Sequence, residues 1–352
     1  MVEQLALFPQ TAPRFPRTCY QGSKAKLTNW IWDKLSQYRF DTCLDAFGGT
    51  GAIAYRLKQE QKQVAYNDHL RFNYWIGRAL IENSNTKLSD LDVERILAPH
   101  GISYPSYIAD TFADIYFTDD ENRWLDRVIT NINGIGEPYK KALALFALAQ
   151  SCIIKRPYNL FHRRNLYIRM ADVQRSFGNK TSWDRPFEAC FRQFVVEANM
   201  AVFDNGKANR ALNQDVFDIE GNFDLVYLDP PYISGKGVAV DYRDFYHFLE
   251  GITDYENWSE KIDMRSKHRR LLSEPNMWTD KHRIYRAFER VFDKYSDSIL
   301  AVSYRSDGIP SEGDLITLLK RFKPQVQVER YHNYQYALSK NKNSCEIILI
   351  GQ

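Results

Sequence analysis

Metal-binding and disulfide spacings are missing from this chain: there is no C-x-x-C pair and no Cys/His cluster with ligand spacing. The five cysteines, Cys19, Cys43, Cys152, Cys190 and Cys345, are scattered. That pattern fits reduced, mostly buried thiols in a cytoplasmic protein and argues against a zinc or disulfide scaffold. The first residues lack a basic stretch followed by an apolar one, so no secretory signal is expected. Long hydrophobic runs are few. The longest, near 142–154, is broken by Gln150 and Ser151, well short of the roughly 20 residues a membrane span needs. Repeats and low-complexity tracts are absent, and net charge is only +3.

What the chain does have is size, aromatics and local charge. Its 352 residues, 44% apolar, suffice for one sizeable core plus a smaller domain or large insertion. Tyr and Phe are abundant, which suits both an aromatic core and the stacking of flat ligands. Two basic islands stand out on a nearly balanced chain. Residues 155–185 hold eight Lys/Arg against two Asp, and 261–290 hold nine against four acids. Such islands point to a polyanion-facing surface.

Strand, loop and helix patterns alternate. The spacing Leu27, Trp30, Ile31, Leu35 predicts an amphipathic helix. "DTCLDAFGGTGAIAYRLKQ" reads as strand, Gly-rich turn and helix, and "QVAYND" as a second strand ending at Asp68. From about residue 84 to 208 the pattern turns mainly helical. The strand-and-carboxylate pattern returns at "ALNQDVFDI" and "FDLVYLDPPY". The chain closes with two strands expected to form an antiparallel hairpin at the sheet edge. The expected fold is therefore α/β, with a largely parallel sheet. Its divisions are an N-terminal arm (1–16), a main sheet domain (17–83 and 209–352), a helical insertion (84–208) and a second, charged insertion (236–280). Ligands of such sheets bind beyond the carboxyl ends of the strands. Asp45, Asp68, Asp215 and Asp229 would rim that edge.

Gly48, Gly49 and Gly51 allow a tight turn and close approach of a ligand. The turn lacks the Gly-Lys-Ser/Thr of a P-loop, which argues against NTP hydrolysis. Asp68 lies 17 residues beyond Gly51, where a strand-end acid can accept from ribose hydroxyls or simply cap a helix. Two prolines after Asp229 fix two φ angles and remove two donors. Asp229 and the next carbonyl can then accept from a planar amine, and Tyr232 offers a face to stack on it.

These motifs, in this order, resemble the Dam-like, α-class adenine-N6 DNA methyltransferases over nearly the whole chain. The resemblance implies a Rossmann-like class I fold with S-adenosylmethionine as cofactor. "TCYQGSKAKL" is similar to the N-terminal motif whose aromatic and lysine, here Tyr20 and Lys24, flank the cofactor. "DAFGGTG" (Asp45, Phe47, Gly48, Gly49, Thr50, Gly51) resembles the motif around its methionine part, with Ala46 where the family often has proline. Asp68 matches the ribose acid, and Asp215 with Val216 the pair that holds the cofactor's adenine. Asp229, Pro230, Pro231 and Tyr232 match the catalytic tetrad. The resemblance implies that an adenine flipped out of double-stranded DNA presents N6 to Asp229 and the Pro230 carbonyl, stacked on Tyr232. Transfer would be direct, with neither a metal nor a covalent intermediate.

The insertion sits where that family places its DNA-recognition domain. Lys155, Arg156, Arg163, Arg164, Arg169, Arg175 and Lys180, with Lys267, Arg269 and Arg270 of the second island, are expected to contact DNA. The arm's "QLALFP" resembles the peptide that docks bacterial proteins on the polymerase sliding clamp, with Gln4, Leu5, Leu7 and Phe8 as anchors. Restriction or defence proteins are the other expected partners. Two alternatives stay open: an amino-methyltransferase acting on RNA or a protein amide, and a non-catalytic DNA-binding protein with this fold. Asp at the first tetrad position and the large insertion weigh against the former, and the intact acid set against the latter.

Overall fold

Alternate residues along the central strands enter two separate cores. Cys43, Leu225 and Tyr227 face one core, whereas Leu44, Val226 and Leu228 face the other. A strand buried on both faces must be apolar at every position, and parallel sheets covered by helices on both sides have this property. The computed structural model describes residues 13–173, 180–332 and 344–352. Arg175 and the segment Gln4–Phe8 lie outside the described residues.

The strands are β1 (Thr42–Asp45), β2 (Gln63–Asn67), β3 (Arg210–Leu212), β4 (Leu225–Leu228), β5 (Ile233–Ser234), β6 (Ile299–Arg305), β7 (Gly308–Ile309), β8 (Val326–Tyr331) and β9 (Glu346–Gly351). Seven of them form one sheet in the order β3-β2-β1-β4-β6-β9-β8. From β3 to β6 all pairings are parallel, and β9 runs antiparallel to both of its neighbours. The expected C-terminal antiparallel pair is present, with β8 outermost and β9 buried between β6 and β8. β5 and β7 form a separate two-stranded ribbon just after the tetrad. The order reverses beside β1, so the connections that leave β1 and β4 run to opposite faces of the sheet and open a crevice at the strands' carboxyl ends.

Helix Thr28–Leu35 buries Ile31 and Leu35, in line with its apolar spacing. The helices of the 84–208 segment are capped well: Ser89 with Asp92 and Thr118 with Glu121 form capping boxes. Helices Asp119–Asn133, Pro138–Ile154 and Phe187–Ala201 bury their apolar faces in the same core as one sheet face. The segment is therefore anchored on the sheet rather than built around a core of its own.

Tyr66 of β2 fixes the geometry of the glycine turn. Its hydroxyl donates to the carbonyls of Gly49 and Asn73, and its ring lies between two glycines. A Cβ on Gly48 would stand 2.0 Å from that ring, and one on Gly77, in helix Arg71–Gly77, 2.3 Å from it. Both glycines are thus set by close packing. Gly77→Ala should lower stability by about 1–3 kcal/mol, the usual cost of overpacking. A denaturant midpoint within error of the parent protein's would refute this packing account.

Candidate active site

The carboxyl end of β4 carries Asp229, and the segment before the first helix carries Lys24. Ser23 is bonded to Thr50 of the glycine turn at 3.1 Å, which places the following lysine over the sheet edge. Lys24 Nζ donates to Asp229 Oδ1 at 2.8 Å and lies 3.4 Å from Glu346 Oε1. It also donates to the Tyr232 hydroxyl and sits 4.8 Å from that ring's centroid. The Tyr232 hydroxyl is 2.7 Å from Asp229 Oδ1 and 2.9 Å from Glu346 Oε1. Glu346, fully buried, also accepts from Ser303 at 2.6 Å. Burial pushes the Asp229 carboxyl above the usual range, Lys24 opposes that rise, and the Glu346 charge adds to it.

Asp45, Asp68, Asp215 and Asp229 all lie at this edge. Asp68, Asp215 and Asp229 line one cavity of about 490 Å³ together with Tyr20, Phe47, Gly49, Val216, Pro230, Pro231 and Tyr232. A smaller recess beside it is lined by Lys24, Asp45, Gly48, Gly49 and Thr50. Asp68 does two jobs. Its Oδ1 accepts from the Leu70 amide (2.8 Å) at the start of helix Arg71–Gly77, and its Oδ2 accepts from Gly49 N (2.8 Å) and Asn73 (3.2 Å). A carboxylate offers about four acceptor positions, so one remains toward the cavity. Tyr20 lies between Tyr242 and Tyr246, stacked at centroid distances of 5.6 and 4.4 Å.

Two cavity groups, an aromatic wall and a guanidinium, escaped the sequence reading. Phe217 and Trp278 stack at 6.0 Å and 12°, and Phe47 meets Trp278 edge-on at 4.9 Å. They form an aromatic wall beside Asp215 and Val216. The guanidinium of Arg290 lies 3.9 Å over the Phe217 ring. Glu346, buried behind the cavity, also escaped it, and its signal was an acid opening an otherwise apolar strand, "CEIILIG".

The basic islands divide. Lys155, Arg156 and Arg169 were expected at the DNA surface, but they are 1%, 0% and 5% exposed. Lys155 pairs with Glu121 at 2.9 Å, and Arg169 binds both oxygens of the same carboxylate at 2.8 Å. Arg156 donates to the carbonyls of Tyr116, Leu160 and Arg163 and to the Asn165 side chain. These three cations are internal pins, because carbonyls and one acid already surround them. Arg163, Arg164, Lys180, Lys267 and Arg270 are exposed, and Arg270 lines the large cavity. Arg269 is half-buried, with φ of 56°, and donates to the Met264 carbonyl. Among the described residues no helix is long and apolar enough to cross a membrane, and no cluster fit to hold a metal ion is present.

Sheet order, glycine turn and tetrad together define a methyltransferase of the α/β class. The model for D12 class N6 adenine-specific DNA methyltransferases matches residues 20–269, and the chain belongs to that family. It is 29% identical over 341 residues to the type II methyltransferase M2.HphI of Haemophilus parahaemolyticus, a match covering 94% of this chain and 95% of that one. It is 23% identical to the type II methyltransferase M.NlaIII of Neisseria lactamica, covering 92% and 94%. Against the type II methyltransferase M.CviAII of Paramecium bursaria Chlorella virus 1 it is 21% identical, covering 94% and 96%. The reaction is methyl transfer from S-adenosylmethionine to N6 of adenine in DNA.

Glu121→Gln leaves two buried cations sharing no acid. It should cost roughly 3–5 kcal/mol of stability, read as a lowered denaturant midpoint. A change under about 1 kcal/mol would contradict the internal role given to Lys155 and Arg169.

Proposed function

We propose that the chain is a sequence-specific methyltransferase of a restriction-modification system acting on an adenine flipped from duplex DNA, with Asp229, the Pro230 carbonyl and Tyr232 receiving the base. The single observation that carries the residue roles is the Asp229–Lys24–Tyr232 cluster, whose Asp229 and Tyr232 line the 490 Å³ cavity. Asp229 and the Pro230 carbonyl accept from the two N6 protons, which turns the nitrogen lone pair toward the donor. The Tyr232 ring stacks on the base. Most of the acceleration then comes from positioning and electrostatics. The role in restriction-modification rests on the relatives, which are type II methyltransferases by name. Incubation with unmethylated DNA and labelled donor, followed by nucleoside analysis, tests the substrate. N6-methyladenine in one sequence context supports the reading, and label confined to RNA or protein overturns it. Asp229→Ala should abolish transfer with donor affinity kept within about threefold.

The residues at the glycine turn fit the donor. Asp45 Oδ1 is buried without a hydrogen-bond partner among the described residues and faces the small recess, as an α-ammonium group requires. Bound there, the donor supplies an electrophilic methyl group on a sulfonium sulfur. Tyr20 and Lys24 flank this end, Asp68 takes a ribose hydroxyl, and Asp215 and Val216 take the adenine against the Phe217–Trp278 wall. Burial, and secondarily the Asp229 charge, pushes the Asp45 carboxyl up to about 8. At pH 7 it holds a proton that must leave when an ammonium binds. Donor binding at pH 7 should therefore release about one proton and tighten by up to about tenfold between pH 6 and 7. Titration calorimetry in buffers of different ionisation heat reads this directly, and Asp45→Asn should abolish the release. The same raised value means that Asp45 stabilises the donor-free protein below its unfolded value, near 4. That contribution is lost as pH rises through about 8.

Exposed Arg163, Arg164, Lys180, Lys267 and Arg270, with Arg269 and with Arg175 outside the described residues, form the proposed DNA surface. Arg163→Ala and Lys267→Ala should each weaken binding to all sequences and reduce the salt slope by about one. Salt-independent affinity would remove this surface. The segments 84–208 and 236–280 are the proposed recognition and second DNA-contacting regions. Gln4, Leu5, Leu7 and Phe8 are proposed to dock on a sliding clamp. Retention in a clamp pull-down should be lost with Leu7→Ala and Phe8→Ala, and unchanged retention removes that partner.

A further inference from the structure

Helix Ile284–Lys294 starts at the cavity rim and leads toward the beginning of β6. Ile284, Ala287, Phe288, Val291 and Phe292 are buried in the core that Leu44, Val226 and Leu228 also face. At 3.6 residues per turn, Arg283, Arg286, Arg290 and Lys294 share about a quarter of the circumference beside that apolar face. All four are exposed. The helix's two acids, Glu289 and Asp293, lie further round. Glu289 pairs with Arg321 at 2.7 Å, and Tyr285 of the same flank donates to Asp314 at 3.1 Å. The pairs four residues apart are therefore of like sign: Arg286 with Arg290, Arg290 with Lys294, and Glu289 with Asp293. Such pairs cost a helix a few tenths of a kcal/mol each where opposite charges would stabilise it. An anion lying along the cationic flank would remove that cost.

The two halves of this flank differ. Arg290 lies over the Phe217 ring, and Lys294 donates to the Phe217 carbonyl at 2.7 Å. The lower half thus braces the turn that carries Asp215. In the upper half Arg283 lines the cavity. Lys281 reaches the turn after the tetrad, where a Cβ on Gly237 would stand 3.5 Å from its Cδ. The exposed Lys236 precedes that glycine. Lys236, Lys281, Arg283 and Arg286 therefore form a run of exposed cations from the tetrad's ribbon onto the helix. Among the described residues none of these four side chains makes an ion pair or a hydrogen bond. The helix packs on one face of the sheet, and the 84–208 segment packs on the other. A duplex that delivers a base to the cavity carries a phosphate with every nucleotide, and this run stands at the rim across from the insertion.

We propose that Lys236, Lys281, Arg283 and Arg286 form a phosphate track that grips the DNA backbone on the side of the cavity opposite the inserted segment. The proposal rests on the reading of duplex DNA as substrate given above and adds a second, separate contact surface to it. The track is sequence-independent, because ammonium and guanidinium groups on phosphate fix register without reading bases. Its work is to hold the backbone on the far side of the cavity while the insertion and the 263–270 loop hold the near side. A duplex fixed on both sides keeps its place while one base leaves the stack.

The test is the salt dependence of binding to a duplex of about 30 base pairs, long enough to cover both sides of the cavity, for the parent and for the double variant Lys281→Gln/Arg286→Gln. Each cation that meets a phosphate contributes about one to the slope of log affinity against log salt. The double variant should therefore lose about two from the slope and bind roughly tenfold more weakly near 0.15 M salt. The DNA concentration for half-maximal methylation should rise in step, while donor affinity stays within about threefold. Arg321→Gln removes an equal charge from the acidic flank and serves as the control. It should leave the slope unmoved, and a slope lowered equally per charge there would reduce the effect to net charge and overturn the track. An unmoved slope in the double variant also overturns it, and leaves the flank to an acidic protein surface. If the double variant does not fold, Lys236→Gln on the neighbouring turn decides: a slope lower by about one supports the track, and an unmoved slope overturns it. Failure of the underlying reading looks different. A parent protein that methylates no duplex DNA overturns that reading, whereas a methylating parent whose slope the variants do not move overturns the track alone.

Discussion

One ammonium group, Lys24 Nζ, stands between two carboxylates, Asp229 at the cavity and Glu346 buried behind it, and the site is organised around that contact. Asp229 comes from the end of β4, Glu346 from the start of β9, and Lys24 from the segment preceding the first helix. Three stretches of chain more than a hundred residues apart are thus drawn to one point. Removing the cation would leave two like charges facing each other in a poorly solvated place, where uncompensated charge is costly. The Tyr232 ring is held by its hydroxyl in the same cluster, so the face it offers is fixed before any base arrives. Such preorganisation is what lets a site act through position rather than through reactive groups.

A second junction ties the nucleic-acid side together. The Tyr116 hydroxyl donates to the Phe161 carbonyl and to the His268 carbonyl at 2.9 Å, and it lies 2.7 Å from His247 Nε2. Burial pushes the His247 ring down to about 3, with the neighbouring His268 adding to the fall, so the ring is neutral and bonds as a neutral group. Phe161 precedes the exposed Arg163 and Arg164, and His268 follows the exposed Lys267. One buried phenol therefore holds both basic loops in register with each other. Arg156, packed 4.2 Å from the Tyr116 ring, braces the same point from within.

Local motifs were legible because their physics is local. Gly48, Gly49 and Gly51 announce a turn by composition, and Asp229–Tyr232 announces a stiff acceptor pair by two adjacent prolines. The parallel pairing of β1, β2, β3, β4 and β6 followed from alternating strands and helices, and with it the shared edge of four acids. Glu346 was missed because acids were sought at strand ends, and only an antiparallel strand brings its beginning to that edge. Lys155, Arg156 and Arg169 were misjudged because key partners, Glu121 and the Tyr116 carbonyl, lie dozens of residues away in sequence. A run of basic residues looks the same whether it faces phosphate or lines a core. The Phe217–Trp278 wall was hidden for a similar reason, since 61 positions separate the two rings.

The central claim concerns where the target nitrogen comes to rest. A crystal structure of the protein with duplex DNA and a non-reactive analogue of the donor measures it most directly. The account predicts an extrahelical adenine with N6 within about 3 Å of an Asp229 oxygen and of the Pro230 carbonyl, its ring stacked on Tyr232. An adenine left in the duplex, or an extrahelical base whose N6 lies away from Asp229, would contradict it.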